Sequence, residues 1–151
     1  MPPSSPSLPD GFELSTDPGR LDRAWVHRYL SEDSYWARGR PRTTQDRAID
    51  GSTSFGIYRA VSGAQVGYAR LVTDGATFGW LCDVFVDAST RGAGLGKALV
   101  AAVTAHADDL GLGKVMLGTG DAHDLYASFG WQPLAEPATW MSRPLRGAPA
   151  T

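Results

Sequence analysis

One stretch limits the fold more than any other. Val84-Phe85-Val86 is an apolar run of strand-forming residues. It leads through Asp87-Ala88-Ser89-Thr90 into Arg91-Gly92-Ala93-Gly94-Leu95-Gly96-Lys97. Beyond the glycines, Leu95, Leu99, Ala102, His106 and Leu110 recur at helical spacing, with Ala98 and Val103 widening the stripe. The pattern predicts a strand, a glycine loop and a helix from Leu95 to Leu110, ended by Gly111 and Gly113. Three alternate glycines weaken a helix start unless some other use compensates. Glycines let the main chain approach a ligand closely. Free N–H groups and the helix dipole favour a phosphate-bearing anion at that point. Arg91 and Lys97 add positive charge beside it.

Two familiar phosphate loops do not fit. A P-loop needs a glycine five residues before its Gly-Lys pair and a Ser or Thr after it. Here those positions hold Arg91 and Ala98. The dinucleotide fingerprint, counted from Gly92, needs a third glycine where Lys97 stands.

The rest of the chain reads as an α/β (α+β) domain over 11–146, between flexible tails at 1–10 and 147–151. Phe12 to Thr16 predicts a first strand, and Leu21, Trp25, Tyr29 and Leu30 a first helix. Thr43 or Thr44 is the expected cap of a second helix running to Ile49. Ser54 to Val61 and Gln65 to Val72 predict a hairpin turning at Ser62-Gly63. Thr77 to Val86 predicts a central strand, apolar on both faces, and Lys114 to Leu117 a short buried one. Asp121 is expected to cap a short helix that carries Leu125, Tyr126 and Phe129 and closes at Gly130. Gln132 to Leu134 and Thr139 to Met141 are candidate last strands.

With 151 residues, 42% hydrophobic and 20% charged, the chain can bury a core without disulfides or metals. A net charge of −2 gives no basic excess for nucleic acid. Cys82 stands alone, which excludes an intramolecular disulfide and a cysteine-based zinc cluster. Nothing suggests a metal. No apolar run approaches the roughly 20 residues of a membrane span, and the first residues lack the blocks of a signal peptide. The expectation is a cytoplasmic protein without a membrane or nucleic-acid partner, with a homodimer left open.

Arg91-Gly92-Ala93-Gly94-Leu95-Gly96 resembles the Arg/Gln-x-x-Gly-x-Gly/Ala motif of the GCN5-related N-acetyltransferases (GNAT). The preceding apolar strand, the following helix and the later Leu125-Tyr126-x-x-Phe129-Gly130-Trp131 follow the same family's order. The resemblance covers Phe55 to Leu134, and it implies a mixed, mostly antiparallel sheet of roughly six to seven strands with about four helices and splayed central strands. It implies acetyl-coenzyme A as co-substrate and transfer of the acetyl group directly to a primary amine of a small molecule or peptide. A non-catalytic acetyl-coenzyme A sensor is the alternative. By the same resemblance, main-chain amides of Arg91, Gly92, Ala93, Gly94, Leu95, Gly96 and Lys97 hold the pyrophosphate. Main chain of Val84, Phe85 and Val86 pairs with the amide-bearing pantetheine arm, as an added strand would.

Tyr126 occupies the family's general-acid position, where a phenol can protonate the departing thiolate. The asparagine that many members place before this helix is missing from Gly118-Thr119-Gly120-Asp121. His123 lies three residues before Tyr126 and could touch coenzyme from the same helix face. Asp83, inside an apolar strand, is the first candidate for the base that deprotonates the amine. Its alternative is a structural carboxylate bonded to backbone or arginine. Asp74, Glu32 and Asp33 are weaker candidates. Cys82 is expected to face away from Asp83 by strand alternation and to serve the core. Tyr35, Trp36, Arg38 and Arg40, with Arg42, lie where the family builds its acceptor site. They could hold an acceptor carboxylate, a free amino acid being one such acceptor.

Overall fold

The computed structural model describes residues 7–144, so most of the 1–10 tail and all of 147–151 lie outside it. Five strands form one sheet in the order β1-β2-β3-β4-β5: β1 (Phe12–Ser15), β2 (Thr53–Arg59), β3 (Gln65–Thr73), β4 (Phe78–Val86) and β5 (Lys114–Leu117). Pairing is antiparallel as far as β4 and parallel between β4 and β5. The β2–β3 hairpin turns where Gly63 takes φ +75°, and its amide donates to the Arg59 carbonyl at 2.8 Å. At the β3–β4 turn, Asp74 Oδ1 accepts from the amides of Ala76, Thr77 and Phe78. The Thr77 hydroxyl, which donates to Oδ2, and those amides hold its carboxyl well below the usual range, and they spend the group on the turn.

A parallel neighbour requires a crossover, which α3 (Leu95–Leu110) supplies between β4 and β5. Its Leu95, Leu99, Val100 and Val103 bury one sheet face together with Phe55, Ile57, Ala69, Leu71 and Leu81. The other face carries α1 (Arg23–Arg28) and α2 (Arg42–Asp50), and Val26, Leu30, Ile49, Tyr68 and Phe85 pack there. A π-helical turn, Tyr29–Asp33, continues α1. The Tyr29 and Phe85 rings stack on this side with centroids 4.0 Å apart. Among the described residues no helix is long and apolar enough to cross a membrane.

Leu81 and Phe85 lie on opposite faces although regular alternation over an even step in position would put them on one. The cause is a bulge. Tyr68 pairs with Phe85 and Arg70 with Cys82, so β4 has one residue more than β3 between those pairs. Asp83 takes φ +54° there, the one non-glycine residue with positive φ among those described. The extra residue breaks the strand's alternation.

Several sequence expectations are corrected. The sheet has five strands where six to seven were expected. Neither Gln132 to Leu134 nor Thr139 to Met141 forms one: Pro137–Thr139 is a 3₁₀ turn and the surrounding chain is exposed. Pro133 and Pro137 remove ladder donors from this stretch. Pro41 precedes α2, and neither Thr43 nor Thr44 caps it. The last helix, α4 (His123–Ala127), starts after Ala122 with no side-chain cap, so Asp121 does not cap it. Thr119 Oγ1 instead accepts from the Ala122 amide at 3.1 Å.

Candidate active site

β4 pairs with β5 only from Phe78 to Leu81, against Lys114 to Leu117. It runs on to Val86, so from Cys82 onward its β5-facing edge has no neighbouring strand among the described residues. A cavity of about 560 Å³ opens beside that divergence. Leu81 to Val84 line it from β4, Leu117 from β5 and Tyr126 from α4.

At the far end of β4 lies the glycine loop. Gly92 and Gly94 take φ of +87° and +85°, which β-carbon-bearing residues rarely adopt. A β-carbon on Gly92, Gly94 or Gly96 would meet nothing within 4 Å, so packing does not require these glycines. Gly94 precedes α3 without a side-chain cap. The Arg91 and Ala93 amides donate within the loop, to the carbonyls of Ala88 and Thr90. Those of Gly92, Gly94, Leu95, Gly96 and Lys97 find no acceptor among the described residues. The unspent donors are thus five of the seven residues singled out by motif. With the helix dipole they make a cradle that suits a pyrophosphate, and the free β4 edge suits an amide-bearing arm.

Tyr126 is buried at the cavity wall, its ring edge-on to Trp131. Its hydroxyl has no hydrogen-bond partner among the described residues. Burial pushes the phenol up to about 12, with Tyr35 and Asp121 adding to the rise. The group therefore keeps its proton through the neutral range. The Gly120 amide, in the stretch that lacks asparagine, donates to the Tyr35 hydroxyl at 3.2 Å. His123 is exposed on α4 and does not line the cavity.

Asp83 sits at the bulge, 1% exposed, and receives three donors. Trp36 Nε1 donates to Oδ1 at 3.0 Å, while Arg40 Nη1 and Arg70 Nε each donate to Oδ2 at 2.9 Å. Burial alone would raise its pKa, but Arg70 and Arg40 outweigh it and hold the carboxyl below its ordinary value. A carboxylate so stabilised, with both oxygens engaged, is a poor proton acceptor. Its surroundings match the structural alternative to a base. Positive φ turns Asp83 into the same cavity as Cys82, against the expected alternation. Burial pushes the Cys82 thiol up to about 11, and it donates weakly to the Arg70 carbonyl. Few thiolates survive there at neutral pH.

The early-loop arginines diverge. Arg40 points inward and also donates to Gln45 Oε1 at 2.9 Å. Arg42 pairs with Asp46 along α2. Arg38 is exposed and does not line the cavity. Tyr35 and Trp36 do line it. Sequence reasoning missed Arg70, Gln45 and Thr119. Arg70 carried a readable signal: a lone arginine inside the apolar run Val66 to Val72 needs a buried anion.

Comparison with known proteins agrees with this geometry. The chain is 32% identical over 145 residues to mycothiol acetyltransferase of Thermobispora bispora, covering 84% of this chain and 48% of that one. Over 103 residues it is 33% identical to a Gibberella zeae protein named as an acetyltransferase, covering 57% and 58%. It thus spans about half the length of the curated relatives it matches. A GNAT-family crystal structure from Xanthomonas campestris pv. campestris is 45% identical, with a TM-score of 0.85, over 93% of this chain and 97% of that one. A Clostridium acetobutylicum structure solved with acetyl-coenzyme A shares the fold at TM-score 0.64 and 12% identity, over 88% and 94%. The model of the acetyltransferase (GNAT) family matches residues 22–131, which contain β4, the glycine loop and Tyr126. The chain belongs to that family.

Proposed function

We propose that this protein is an N-acetyltransferase that moves the acetyl group of acetyl-coenzyme A directly to the primary amine of a small molecule. The carrying observation is the β4 edge left unpaired among the described residues, which runs from the open amides of the glycine loop to a cavity lined by Tyr126. Amides of Gly92 and of Gly94 to Lys97 bind the pyrophosphate, and the main chain of Val84 to Val86 takes the amide-bearing arm. That arrangement leads the thioester toward the divergence of β4 and β5.

Attack by the amine forms the amide C–N bond and breaks the thioester C–S bond; Tyr126 gives its proton to the leaving sulfur and is reprotonated from solvent before the next turnover. A phenol near 12 is a weak acid against bulk water. Against a thiolate forming in the same partly dry cavity it is a competent donor. Asp83 does not serve as base in this scheme. It holds Trp36, Arg40 and Arg70 in place at the acceptor side. The amine's proton leaves through water or through Asp121, an exposed carboxylate on the cavity wall.

Calorimetric titration with acetyl-coenzyme A, ATP and NAD tests the donor, and thiol release in the presence of amines tests turnover. Binding of acetyl-coenzyme A alone, with thiol released only when an amine is added, is expected. ATP binding of comparable affinity would reject the donor assignment. Tight coenzyme binding without thiol release across free amino acids, polyamines, aminoglycosides and peptide N-termini would establish the sensor alternative.

A further inference from the structure

Charge is unbalanced around Asp83. Two guanidiniums, Arg40 and Arg70, share one carboxylate, and their side chains are only 11% and 12% exposed. Taking a cation out of water is costly unless an anion accompanies it, and here one of the two positive charges has no carboxylate of its own among the described residues. Both Asp83 oxygens are already occupied by donors. Arg40 spends Nη1 on Asp83 and Gln45, and Arg70 spends Nε on Asp83 and Nη1 on Ser52. The Nη2 groups of both have no acceptor among the described residues, yet neither is sealed from solvent as Gln45 Nε2 is. Both residues line the same cavity.

The same cavity also carries a negative charge. Asp121 is exposed there, its carboxylate has no partner among the described residues, and it lies near enough to Tyr126 to raise the phenol's pKa. Trp36 and Trp80 also line this cavity and add apolar surface to it.

We infer that the acceptor is a small amine that also carries a carboxylate, with Arg40 and Arg70 as the residues that select it. One carboxylate neutralises the one uncompensated charge, and the unspent Nη2 groups of Arg40 and Arg70 offer it charge-assisted hydrogen bonds. Its ammonium is drawn to Asp121, which brings the nitrogen to the Tyr126 side, where transfer occurs. A polyamine would set its second cation against the arginines. A phosphomonoester would bring two charges where one is needed. This inference rests on the transferase reading above, and it moves carboxylate recognition from the exposed Arg38 to Arg70, a residue of β3.

The test compares kcat/KM for matched acceptors on the unaltered protein: an amino acid, its amide, the corresponding decarboxylated amine, a diamine and ethanolamine phosphate. The amino acid should exceed its amide by about 100-fold, the scale of losing one charge-assisted hydrogen-bonded pair. In Arg70→Gln and Arg40→Gln the acid-to-amide ratio should fall toward one. A merely structural role would lower both rates together and leave the ratio intact. If either variant fails to fold, the ratio on the unaltered protein decides. Equal use of acid and amide, or preference for the diamine or the phosphoester, overturns carboxylate selection and leaves the transferase standing. Absence of transfer to every amine overturns both.

Discussion

The glycine loop and the Asp83 cluster both deal with charge, and they do so with different parts of the chain. The loop offers an anion main-chain amides and a helix dipole, from a continuous run of residues whose side chains matter by being absent. The cluster uses side chains from three places: the loop before α2, strand β3 and the bulge of β4. Main-chain recognition suits a donor that never changes. Side-chain recognition, held by a buried network, suits an acceptor that must be told from other amines. The same division predicts where substitutions act: glycine changes on the loop should alter coenzyme binding, and changes at the cluster should alter stability and acceptor choice.

Tyr126 lines the same cavity as the cluster, and the loss of its hydroxyl should have the largest effect. Tyr126→Phe keeps the ring against Trp131 and removes only the hydroxyl. A fall in kcat of about 10²–10⁴-fold is expected, with coenzyme affinity nearly unchanged. Stopped-flow thiol detection with a good acceptor measures it. An unaltered chemical step would show that the phenol belongs to neither half of the mechanism.

Asp83→Asn tests whether the cluster holds the acceptor side together. It leaves two buried guanidiniums facing a neutral amide, and stability should drop by about 3–5 kcal/mol in denaturant titration. The pH dependence carries a matching signature. Burial raises the Asp83 pKa, Arg70 and Arg40 lower it by more, and the folded value ends below the ordinary one. Its contribution is therefore present above about pH 3.9 and lost as pH falls through the depressed value. The variant should lack that acid-side loss. A base role predicts instead a large fall in kcat with ordinary stability.

Gly94→Val strains the loop side. At φ +85° a β-branched residue costs about 1–2 kcal/mol, which should appear in thermal melts. Because the same amides would be displaced, coenzyme affinity should weaken about tenfold while acceptor preference is unchanged. Altered acceptor preference would blur the division.

The loop side was legible in the sequence because its information is local. Three alternate glycines, the apolar strand before them and the helical stripe after them are neighbours in the chain, and the helix runs from Leu95 to Leu110 as its spacing predicts. The cluster was half legible. Asp83 stood out as a carboxylate among apolar residues, but its partners Trp36, Arg40 and Arg70 lie 47, 43 and 13 residues away, and no local rule selects Arg40 over Arg38. The bulge was the decisive omission. Alternation sent Cys82 and Asp83 to opposite faces, and one extra residue in β4 put both beside the cavity. The last strands were misread because their apolar residues suggested burial, whereas Leu134, Trp140 and Met141 are exposed.

The smallest expected effect is the most discriminating for the acceptor side. Arg38 and Arg40 are two residues apart in one loop, and motif reasoning treats them alike. Their surroundings differ: Arg40 reaches Asp83 and Gln45, whereas Arg38 is exposed and outside the cavity lining. Arg38→Ala should change stability by less than about 0.5 kcal/mol, as surface substitutions do. Its charge is screened by water and salt, so kcat/KM for a carboxylate-bearing acceptor should stay within about twofold at physiological ionic strength. Measured at low salt, a modest drop confined to the association rate would mean that Arg38 steers acceptors without holding them. A drop persisting at high salt, and larger for the acid than for its amide, would place Arg38 in direct contact with the acceptor. Acceptor selection would then extend beyond the buried network to the loop's exposed edge.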